Sequence, residues 1–418
     1  MIVFKFGGAS VKNANAIKNI ANIIEQYKKE QLIIVVSAMG KMTNALEKLY
    51  NQYSKNNIDF IETFNEISDY HFAIVDELFE NQCHQTSKQV YLLFEKLRLY
   101  LHNKPSENYD YDYDQIISFG ELVSSTIVAG YLNDQNITNQ WIDITTCLKT
   151  DETYREAKVD WKESNSLIIK AFDFDKNKIF LTQGFIGSAK NGNRTTLGRE
   201  GSDYTAAILA YALNAQKVII WKDVLGILNA DPRLNENAVK LDEISYQEAI
   251  ELAYYGAQVI HPKTIKPLQN KNIPLYVKSF IEPNEQGTLI RSFDESLDLM
   301  PIFIVKKMQV LISISPKDFS FIVEENISSI FALFAKLSIK VNLMQNSAIS
   351  FSVSIDNDVN KLSILIKELQ KDYKVLYNED LELITIRHYT KQAIVEIIGD
   401  RKVLVEQKSR RTARYAVQ

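Results

Sequence analysis

The chain has 418 residues, more than one ordinary hydrophobic core accommodates, so its length predicts two or three domains. Hydrophobic residues make up 46% and charged residues 24%, a globular composition that argues against disorder, collagen or a coiled coil. The 48 basic and 52 acidic side chains give a net charge of -4, so the composition does not favour a nucleic-acid partner.

The N-terminal segment predicts a strand, a glycine turn and a helix. Apolar residues 2–6, interrupted by Lys5, lead into Gly7 and Gly8 and then into a helix-like segment at 11–28. Residues 31–37, QLIIVVS, are typical of a parallel strand that is covered on both faces. Together they predict a βαβ unit whose loops emerge at the carboxyl edge of the sheet, where open α/β sheets bind ligands.

The same alternation continues to about residue 291. Residues 44–102 contain neither Gly nor Pro and are rich in helix formers, so they predict a helical segment. Further elements are predicted as strands at 179–184 and 218–221, a helix at 202–213, and a helix start at the capping-box pair Ser245 and Glu248.

The region after residue 300 has a different pattern. It predicts a small α+β sandwich, with strands at 309–313 and 381–387, two strands within 340–355, and helices at 322–337 and 360–371. The remaining tail predicts a short helix and one alternating strand at 403–417. It is too short for a second full module of this kind.

The segment KFGGAS, residues 5–10, has the composition of a phosphate cradle. Gly7 and Gly8 allow close backbone approach, the following helix start offers unpaired amides, and Lys5 adds a full charge. It is neither a P-loop nor a dinucleotide fingerprint, because GxxxxGK[ST] and GxGxxG are absent. The alternative interpretation is a simple strand-to-helix turn.

The segment TTLGREGSD, residues 195–203, precedes a predicted helix. Arg199 suits a carboxylate or phosphate, and Asp203 at the helix start can hold Mg²⁺ or orient a cation. The alternative is a glycine-rich surface turn with a favourable first-turn charge.

Two further segments carry candidate residues. SFGE, residues 118–121, places Glu121 at a helix start, and WKDVLGILNADPR, residues 221–233, places Arg233 in a loop at the sheet edge, where it suits phosphate. Glu121 considered alone is better explained as a solvated first-turn carboxylate. His261, before Pro262, is more often a packed histidine, and we assign it no role.

These segments, together with VVSAMGKMTN at 35–44 and QGFIG at 183–187, occur in an order that resembles aspartate kinases of the amino-acid kinase superfamily. The resemblance spans about residues 1–300 and implies a mostly parallel central sheet between helices. It further implies transfer of the γ-phosphoryl group of ATP, with Mg²⁺, to the β-carboxylate of L-aspartate. That reaction gives 4-phospho-L-aspartate and begins lysine, threonine, methionine and diaminopimelate biosynthesis.

The resemblance also implies roles for single residues. Lys5 and Asp203 would be catalytic, with Lys5 neutralising charge on the transferring phosphoryl group. Glu121 would hold the aspartate ammonium and Arg199 its α-carboxylate, with Ser37, Thr43 and Ser202 near the substrate. The implied nucleotide contacts are Lys5, Gly7, Gly8, Ser10, Lys222, Asp223, Arg233 and Gln258.

Some positions depart from the commonest pattern of the family. Ala9 replaces a threonine, Leu228 a tyrosine and Gln258 a lysine, the last two near the nucleotide. Glu200 replaces a glycine, and Lys222 a threonine. We hypothesise that Lys222 or Lys263 supplies the charge that Gln258 lacks.

The tail resembles the ACT-like regulatory modules of these enzymes, which are ferredoxin-like βαββαβ units. The resemblance implies a catalytic domain at 1–300 and a regulatory region at 301–418, with one fuller module at about 309–387 and an abbreviated one at about 382–418. Asn342, Gln345 and Asn346 would contact an amino-acid effector, lysine or threonine. A homodimer formed through this region is also implied, and a purely dimerising module is the alternative.

We expect a monofunctional enzyme, because 418 residues leave no room for the dehydrogenase domain of bifunctional relatives. Another amino-acid kinase, such as a glutamate or N-acetylglutamate kinase, is opposed by the ACT-like tail. A catalytically inactive amino-acid sensor is opposed by the retained Lys5, Glu121, Arg199 and Asp203.

The expected setting is cytoplasmic. The N-terminus lacks a basic region followed by a long apolar stretch, and runs such as 32–36 are far shorter than the roughly 20 residues of a bilayer crossing. Cys83 and Cys147 are too few for a disulfide framework and lack the paired spacing of a zinc site.

Overall fold

The computed structural model describes residues 1–79, 84–257, 260–293, 300–318 and 320–418. These residues fall into two compact units. The first unit comprises Met1–Ile227, Lys240–Ile250 and Gln258–Ser296, and the second comprises Leu228–Val239, Glu251–Ala257 and Leu297–Gln418. The domain boundary expected near residue 300 stays a prediction.

The first unit is built on an eight-stranded, mostly parallel sheet with the order β3-β5-β2-β1-β8-β10-β11-β9. Only the pairing of β10 with β11 is antiparallel, so the expected α/β fold class is confirmed. A smaller sheet joins β4, β6 and β7. The strands are β1 (Ile2–Phe6), β2 (Leu32–Val36), β3 (Gln140–Ile142), β4 (Lys149–Thr150), β5 (Ile179–Gln183), β6 (Ile186–Ala189), β7 (Arg194–Thr196), β8 (Lys217–Lys222), β9 (Glu243–Ser245), β10 (Leu275–Ser279) and β11 (Thr288–Arg291).

The helices of this part of the chain follow the predicted alternation. They are α1 (Ala14–Glu25), α2 (Met42–Ser54), α3 (Phe60–Leu78), α4 (Gln85–Leu101), α5 (Tyr109–Ile117), α6 (Phe119–Asp134), α7 (Trp161–Ala171), α8 (Gly201–Ala212), α9 (Tyr246–Tyr255) and α10 (Pro262–Asn270). The first helix begins later than expected, because a 3₁₀ turn occupies Gly8–Val11 and the Asn13 side chain then caps α1 by accepting the Ala16 amide at 2.9 Å. The predicted cap at Ser245 is present, since its Oγ accepts the Glu248 amide at 3.0 Å.

Strand β2 lies in the interior of the sheet with all five of its residues buried, as its apolar run predicts. The carboxyl ends of three neighbouring strands lie side by side, because Phe6 of β1 pairs with Val36 of β2 and Trp221 of β8. The loops that follow these strands therefore share one edge of the sheet, which is where the candidate site lies.

One helical stretch of the described residues, 109–134, is long and apolar enough to cross a membrane by length and composition. Its most apolar window is 89% buried inside the protein, and the stretch comprises α5 and α6. These features are those of helices in a protein core.

The second unit contains a six-stranded antiparallel sheet with the order β13-β14-β12-β15-β17-β16. Three helices accompany it in the chain. The elements are β12 (Ile302–Pro316), α11 (Glu324–Lys336), β13 (Val341–Asn346), β14 (Phe351–Asp356), α12 (Val359–Asp372), β15 (Tyr373–Arg387), α13 (Lys391–Ile398), β16 (Val403–Lys408) and β17 (Thr412–Val417).

Two of these strands are much longer than the sequence indicates. β12 and β15 pair along their whole length, from Ile302 opposite Arg387 to Pro316 opposite Tyr373. Two register shifts, on either side of Gln309, divide each strand into halves, and Met308 and Asp380 have positive φ there. The polar residues 378–380 form this irregularity within β15, and in the sequence they have the pattern of a turn. The strand predicted to start at 381 therefore begins at 373 in the structure.

The long strands join two four-stranded arrangements in one sheet. β13 and β14 flank one half of the β12–β15 pair, and β17 and β16 flank the other. Two separate hydrophobic clusters lie under these halves, one around Phe334 and one around Tyr415. The single strand predicted at 403–417 is instead the hairpin of β16 and β17, in which the Ser409 amide donates to the Thr412 carbonyl at 2.8 Å.

Candidate functional site

A cleft of about 700 Å³ lies at the carboxyl edge of the main sheet in the first unit. Strand ends supply Lys5, Ser37 and Lys222, and the first turn of α8 supplies Asp203. Many of the residues proposed from the sequence line this one cleft, namely Lys5, Ser37, Thr43, Glu121, Arg199, Ser202, Asp203 and Lys222.

Lys5 and Asp203 meet at the centre of the site. Lys5 Nζ lies 2.6 Å from Asp203 Oδ1, and the two side chains are only 12% and 3% exposed. They come from segments about 200 residues apart, brought together because α8 packs against β1. A buried ion pair of this kind fixes the ammonium group beside the glycine turn and holds it ready for an anionic ligand.

The glycine turn is shaped by close contact with the loop after β2. A Cβ on Gly8 would lie 2.7 Å from the Gly40 carbonyl oxygen, so no larger residue fits there without movement. The Gly40 amide donates to the Gly8 carbonyl at 2.9 Å, and the amide of buried Ser10 donates to the Gly7 carbonyl at 2.9 Å. A Cβ on Gly7 would lie 3.4 Å from Lys5 Nζ, which places this turn next to the ion pair.

Glu121 is a buried carboxylate with an unused oxygen. Its Oε1 accepts the Ala38 amide at 3.3 Å, whereas Oε2 has no hydrogen-bond partner among the described residues. Burial raises the pKa of the Glu121 carboxyl from 4.5 to about 8, against smaller lowering by the Ala38 amide and by Lys5. An ammonium group bound at Oε2 would favour the ionised form, so this position suits a cationic ligand group.

Arg199 and Glu200 lie in the turn before α8 and differ in their contacts with the rest of the protein. Arg199 is exposed and forms no ion pair with any residue that the structure describes. Glu200 has φ +54, a left-handed conformation that favours glycine and agrees with the glycine expected there from the family resemblance. Its Oε2 accepts the His261 amide at 2.9 Å, an interaction that a glycine lacks.

Ser202 and His261 have packing roles of their own. A Cβ on Gly184 would lie 2.4 Å from Ser202 Cβ, so the loop after β5 closes directly on the start of α8. His261 caps α10, because its Nδ1 accepts the Lys263 amide at 3.2 Å. That contact agrees with the structural rather than catalytic role inferred from its sequence position.

The cleft also contains residues that sequence reasoning missed, namely Glu47, Tyr113, Arg155, Glu156 and Phe185. Tyr113 donates its hydroxyl to Glu47 Oε1 at 2.6 Å, and the Arg155 guanidinium carbon lies 4.2 Å from the centre of the Tyr113 ring. Arg155 Nε also lies 2.6 Å from Asp110 Oδ1. These side chains form a second, aromatic and cationic wall of the cleft.

Arg155 is held in place by buried Asp114. The backbone of Arg155 has φ +65, and its amide lies 3.1 Å from each carboxylate oxygen of Asp114. The Thr196 amide and hydroxyl also donate to Asp114, each at 2.7 Å. Burial raises the pKa of Asp114 to about 6, opposed by these hydrogen bonds. Alternating Tyr and Asp at 109–114 looks like a solvated acidic helix in the sequence, so it gave no signal for this role.

Three further nucleotide candidates are not among the described residues that line the cleft. Asp223 is exposed directly after β8. Arg233 belongs to the second unit, where its Nη2 lies 2.7 Å from Asp231 Oδ2. Gln258 lies outside the described residues. Across the described ranges, no group of three or more His, Cys, Asp or Glu residues comes together to hold a metal ion.

The effector candidates lie on β13 in the second unit. Asn342 is buried, and its amide nitrogen donates to Gln309 Oε1 at 2.9 Å and to Asp356 Oδ1 at 2.8 Å. Its Oδ1 accepts Lys306 Nζ at 2.9 Å, so the whole side chain is engaged within the protein. Gln345 and Asn346 are exposed.

Comparisons with known proteins agree with this geometry. The model of the amino acid kinase family matches residues 1–279. Lysine-sensitive aspartokinase 3 of Escherichia coli (strain K12) is 30% identical over 398 residues, which are 92% of this chain and 86% of that protein.

Two crystal structures of E. coli aspartokinase III are similar to the whole chain. The complex with lysine and aspartate, a T-state, has a TM-score of 0.83 and 27% identity, covering 100% of this chain and 96% of that one. The complex with aspartate and ADP, an R-state, has a TM-score of 0.82 at the same identity and coverage. The chain therefore belongs to the amino acid kinase family and, within it, to the aspartokinases.

Proposed function

We propose that the cleft transfers the γ-phosphoryl group of ATP to the β-carboxylate of L-aspartate, giving 4-phospho-L-aspartate. The observation that carries the proposal is the joint presence of the buried Lys5–Asp203 pair and the unpartnered oxygen of Glu121 in one cleft. The chemistry requires both a centre for phosphate charge and a receptor for an ammonium group.

The acceptor carboxylate is already a nucleophile at neutral pH, so the enzyme needs alignment and charge stabilisation rather than a general base. Lys5 neutralises the charge on the transferring phosphoryl group, and Asp203 orients the Lys5 ammonium. Fixed donors of this type stabilise a transition state because they require little reorganisation during the reaction.

Aspartate is oriented by its two α-substituents. Glu121 Oε2 binds the α-ammonium, and Arg199, which forms no ion pair within the part of the chain that is described, binds the α-carboxylate. Ser37, Thr43 and Ser202 line the same cleft and supply hydroxyl groups to the substrate. This orientation directs the β-carboxylate towards Lys5.

ATP contacts the amides at Gly7, Gly8 and Ser10, with Lys222, Asp223, Arg233 and Gln258 as further candidate contacts. Mg²⁺ bound with the nucleotide phosphates would neutralise part of their charge. Asp203 is the carboxylate closest to the Lys5 ammonium and is the residue of this chain best suited to face that complex.

The second unit contains a six-stranded antiparallel sheet, which fits an ACT-like region, and the similar E. coli aspartokinase III has been crystallised with lysine and aspartate. We therefore extend the proposal to feedback control by an amino acid, lysine before threonine, and to a homodimer formed through this unit. Gln345 and Asn346 are exposed on β13 and available to an effector, whereas Asn342 would first have to exchange its internal hydrogen bonds.

A hydroxamate assay with L-aspartate, ATP and Mg²⁺ tests the activity. The hydroxamate of the acceptor should form with L-aspartate and not with L-glutamate or N-acetyl-L-glutamate. Folded protein that yields no product with aspartate refutes the proposal, and the same assay with added lysine or threonine identifies the effector.

A further inference from the structure

A second recess in the first unit lies between α7, α8 and α10 and encloses about 360 Å³. It shares no lining residue with the cleft described above. Its volume is within the range of sites for small organic ligands. Its lining residues are Trp161, Asn165, Tyr204, Tyr211, Lys263, Lys266, Pro267 and Asn270.

One wall of the recess is aromatic. The ring centre of Trp161 lies 5.3 Å from that of Tyr211 and 6.4 Å from that of Tyr204, with the planes at 74° and 71°. All three side chains are half-buried, so part of each ring faces the recess. Partly exposed rings held at such angles offer both faces and edges against which a flat ligand ring can stack.

Asn165 contributes an unused amide. Its Oδ1 is buried and has no hydrogen-bond partner among the residues described. A buried carbonyl oxygen without a partner is unfavourable, and a ligand N–H that reaches it removes this penalty. An asparagine amide presents an acceptor next to a donor, which matches the edge of a purine base such as adenine.

The opposite side is cationic. Lys263 and Lys266 lie one turn apart on α10, and both are exposed. Neither lysine forms an ion pair within the described ranges. Lys271, directly after α10, differs because its Nζ donates hydrogen bonds to the Tyr211 carbonyl and to Asn214 Oδ1, each at 2.6 Å. Two uncommitted ammonium groups beside an aromatic wall suit a phosphate group attached to a flat ring.

We propose that this recess binds a purine nucleoside monophosphate as a second ligand, separate from the substrates of the cleft. The base stacks on the face of Trp161 and places one edge against Tyr211, whose ring plane is at 74° to that of Trp161 and has the Lys271 ammonium 4.2 Å from its centre. The Asn165 amide bonds the polar edge of the base, and Lys263 and Lys266 hold the phosphate. The recess requires a flat ring, a polar ring edge and a phosphate in one ligand. This requirement distinguishes the proposed ligand from inorganic phosphate and from an uncharged nucleoside.

The test uses 5-fluorotryptophan and ¹⁹F NMR, because the protein has only three tryptophans, Trp141, Trp161 and Trp221. Single Trp→Phe variants assign the signals. AMP is added to the ligand-free protein, and the titration is repeated after ADP and L-aspartate have been added to occupy the cleft. We expect a saturable shift of the Trp161 signal with AMP, at least tenfold weaker binding of adenosine, and no shift with inorganic phosphate or benzoate alone.

Variants then test the contacts. Lys266→Ala and Asn165→Ala should each weaken AMP binding about tenfold or more, since each removes a hydrogen bond to the ligand. Lys170→Ala, an exposed lysine of α7 outside the recess, is the matched control and should leave AMP binding unchanged. Lys266 and Lys170 are exposed, so folding is expected to be preserved in both variants.

Three results would overturn the proposal. They are a Trp161 signal that does not respond to millimolar AMP, an equal response to phosphate or benzoate, and unchanged AMP affinity in Lys266→Ala. Aspartyl hydroxamate formation is measured on the same samples. Kinase activity without AMP binding defeats this inference alone, whereas folded protein without kinase activity defeats only the proposed reaction.

Discussion

Replacement of Glu121 by glutamine tests the ammonium site most directly, because it retains the shape of the side chain and removes its charge. A hydrogen bond to a charged group contributes about 1.5–3 kcal/mol, so Glu121→Gln should raise the KM for aspartate roughly 10- to 150-fold. The KM for ATP should change by less than about twofold, since Glu121 is not among the proposed nucleotide contacts.

The same variant has a predictable effect on stability. The pKa of Glu121 rises from 4.5 to about 8 on folding, so the ligand-free folded state binds a proton more tightly than the unfolded chain. The contribution of the Glu121 carboxyl to the free energy of unfolding is fully present below pH 4.5 and is lost as the pH rises through 8. At 1.36 kcal/mol per pKa unit, the loss is about 5 kcal/mol, taken as an upper value. Glu121→Gln should abolish that part of the pH dependence.

The assays are hydroxamate kinetics and urea unfolding of ligand-free protein between pH 5 and 8.5. Glu47→Gln is the matched control, because Glu47 also lines the cleft and glutamine can still accept the Tyr113 hydroxyl. The control should retain the pH dependence of the wild-type protein. An aspartate KM within twofold of wild type, together with an unchanged pH dependence, would refute the reasoning about Glu121.

Three further outcomes are expected. Lys5→Ala should lower kcat about 10²- to 10³-fold in the hydroxamate assay, because it removes a fixed charge from the transition state, and a loss below tenfold would contradict its role. Glu200→Gly should be about 1 kcal/mol more stable to urea than Glu200→Ala, because both lack the contact to His261 but only glycine adopts φ +54 without strain; equal stabilities would contradict this explanation. Lys222→Ala should raise the KM for ATP about tenfold, whereas Lys263→Ala should change it by less than twofold, because Lys222 lines the cleft and Lys263 lines the other recess. An unchanged KM in Lys222→Ala would show that Lys222 does not supply the charge that Gln258 lacks.

Much of the candidate site was accessible from the sequence because its residues lie at strand ends and helix starts. An apolar run such as 32–36 marks a buried parallel strand, and the carboxyl ends of such strands must meet at one edge. The strand ends that carry Lys5, Ser37 and Lys222 therefore meet at that edge, although Ser37 and Lys222 were named as candidates through the family resemblance. The glycine at position 8 marked the turn in the sequence, whereas the contact that excludes a larger residue there, with the Gly40 carbonyl oxygen, became visible only in the folded structure.

The long strands of the second unit were not accessible in this way. Residues 378–380 are polar and interrupt the alternation, so the sequence divides β15 at a point where the folded chain continues as one strand. Pairing with β12 across the register shifts maintains the strand there. Strand pairing is a contact between distant residues, and no local pattern records it.

The sequence by itself determined the alternating strands and helices of the first unit, the glycine turn, and the charged residues that converge on one sheet edge. Only the tertiary structure decided the raised pKa of Glu121, the position of Arg155 against Tyr113, and the sharing of two strands between both halves of the second sheet. Hydrophobic periodicity and backbone sterics act over a few neighbouring residues and can be read from their order. Desolvation, ring stacking and strand register depend on groups that are far apart in the chain and meet only when it folds.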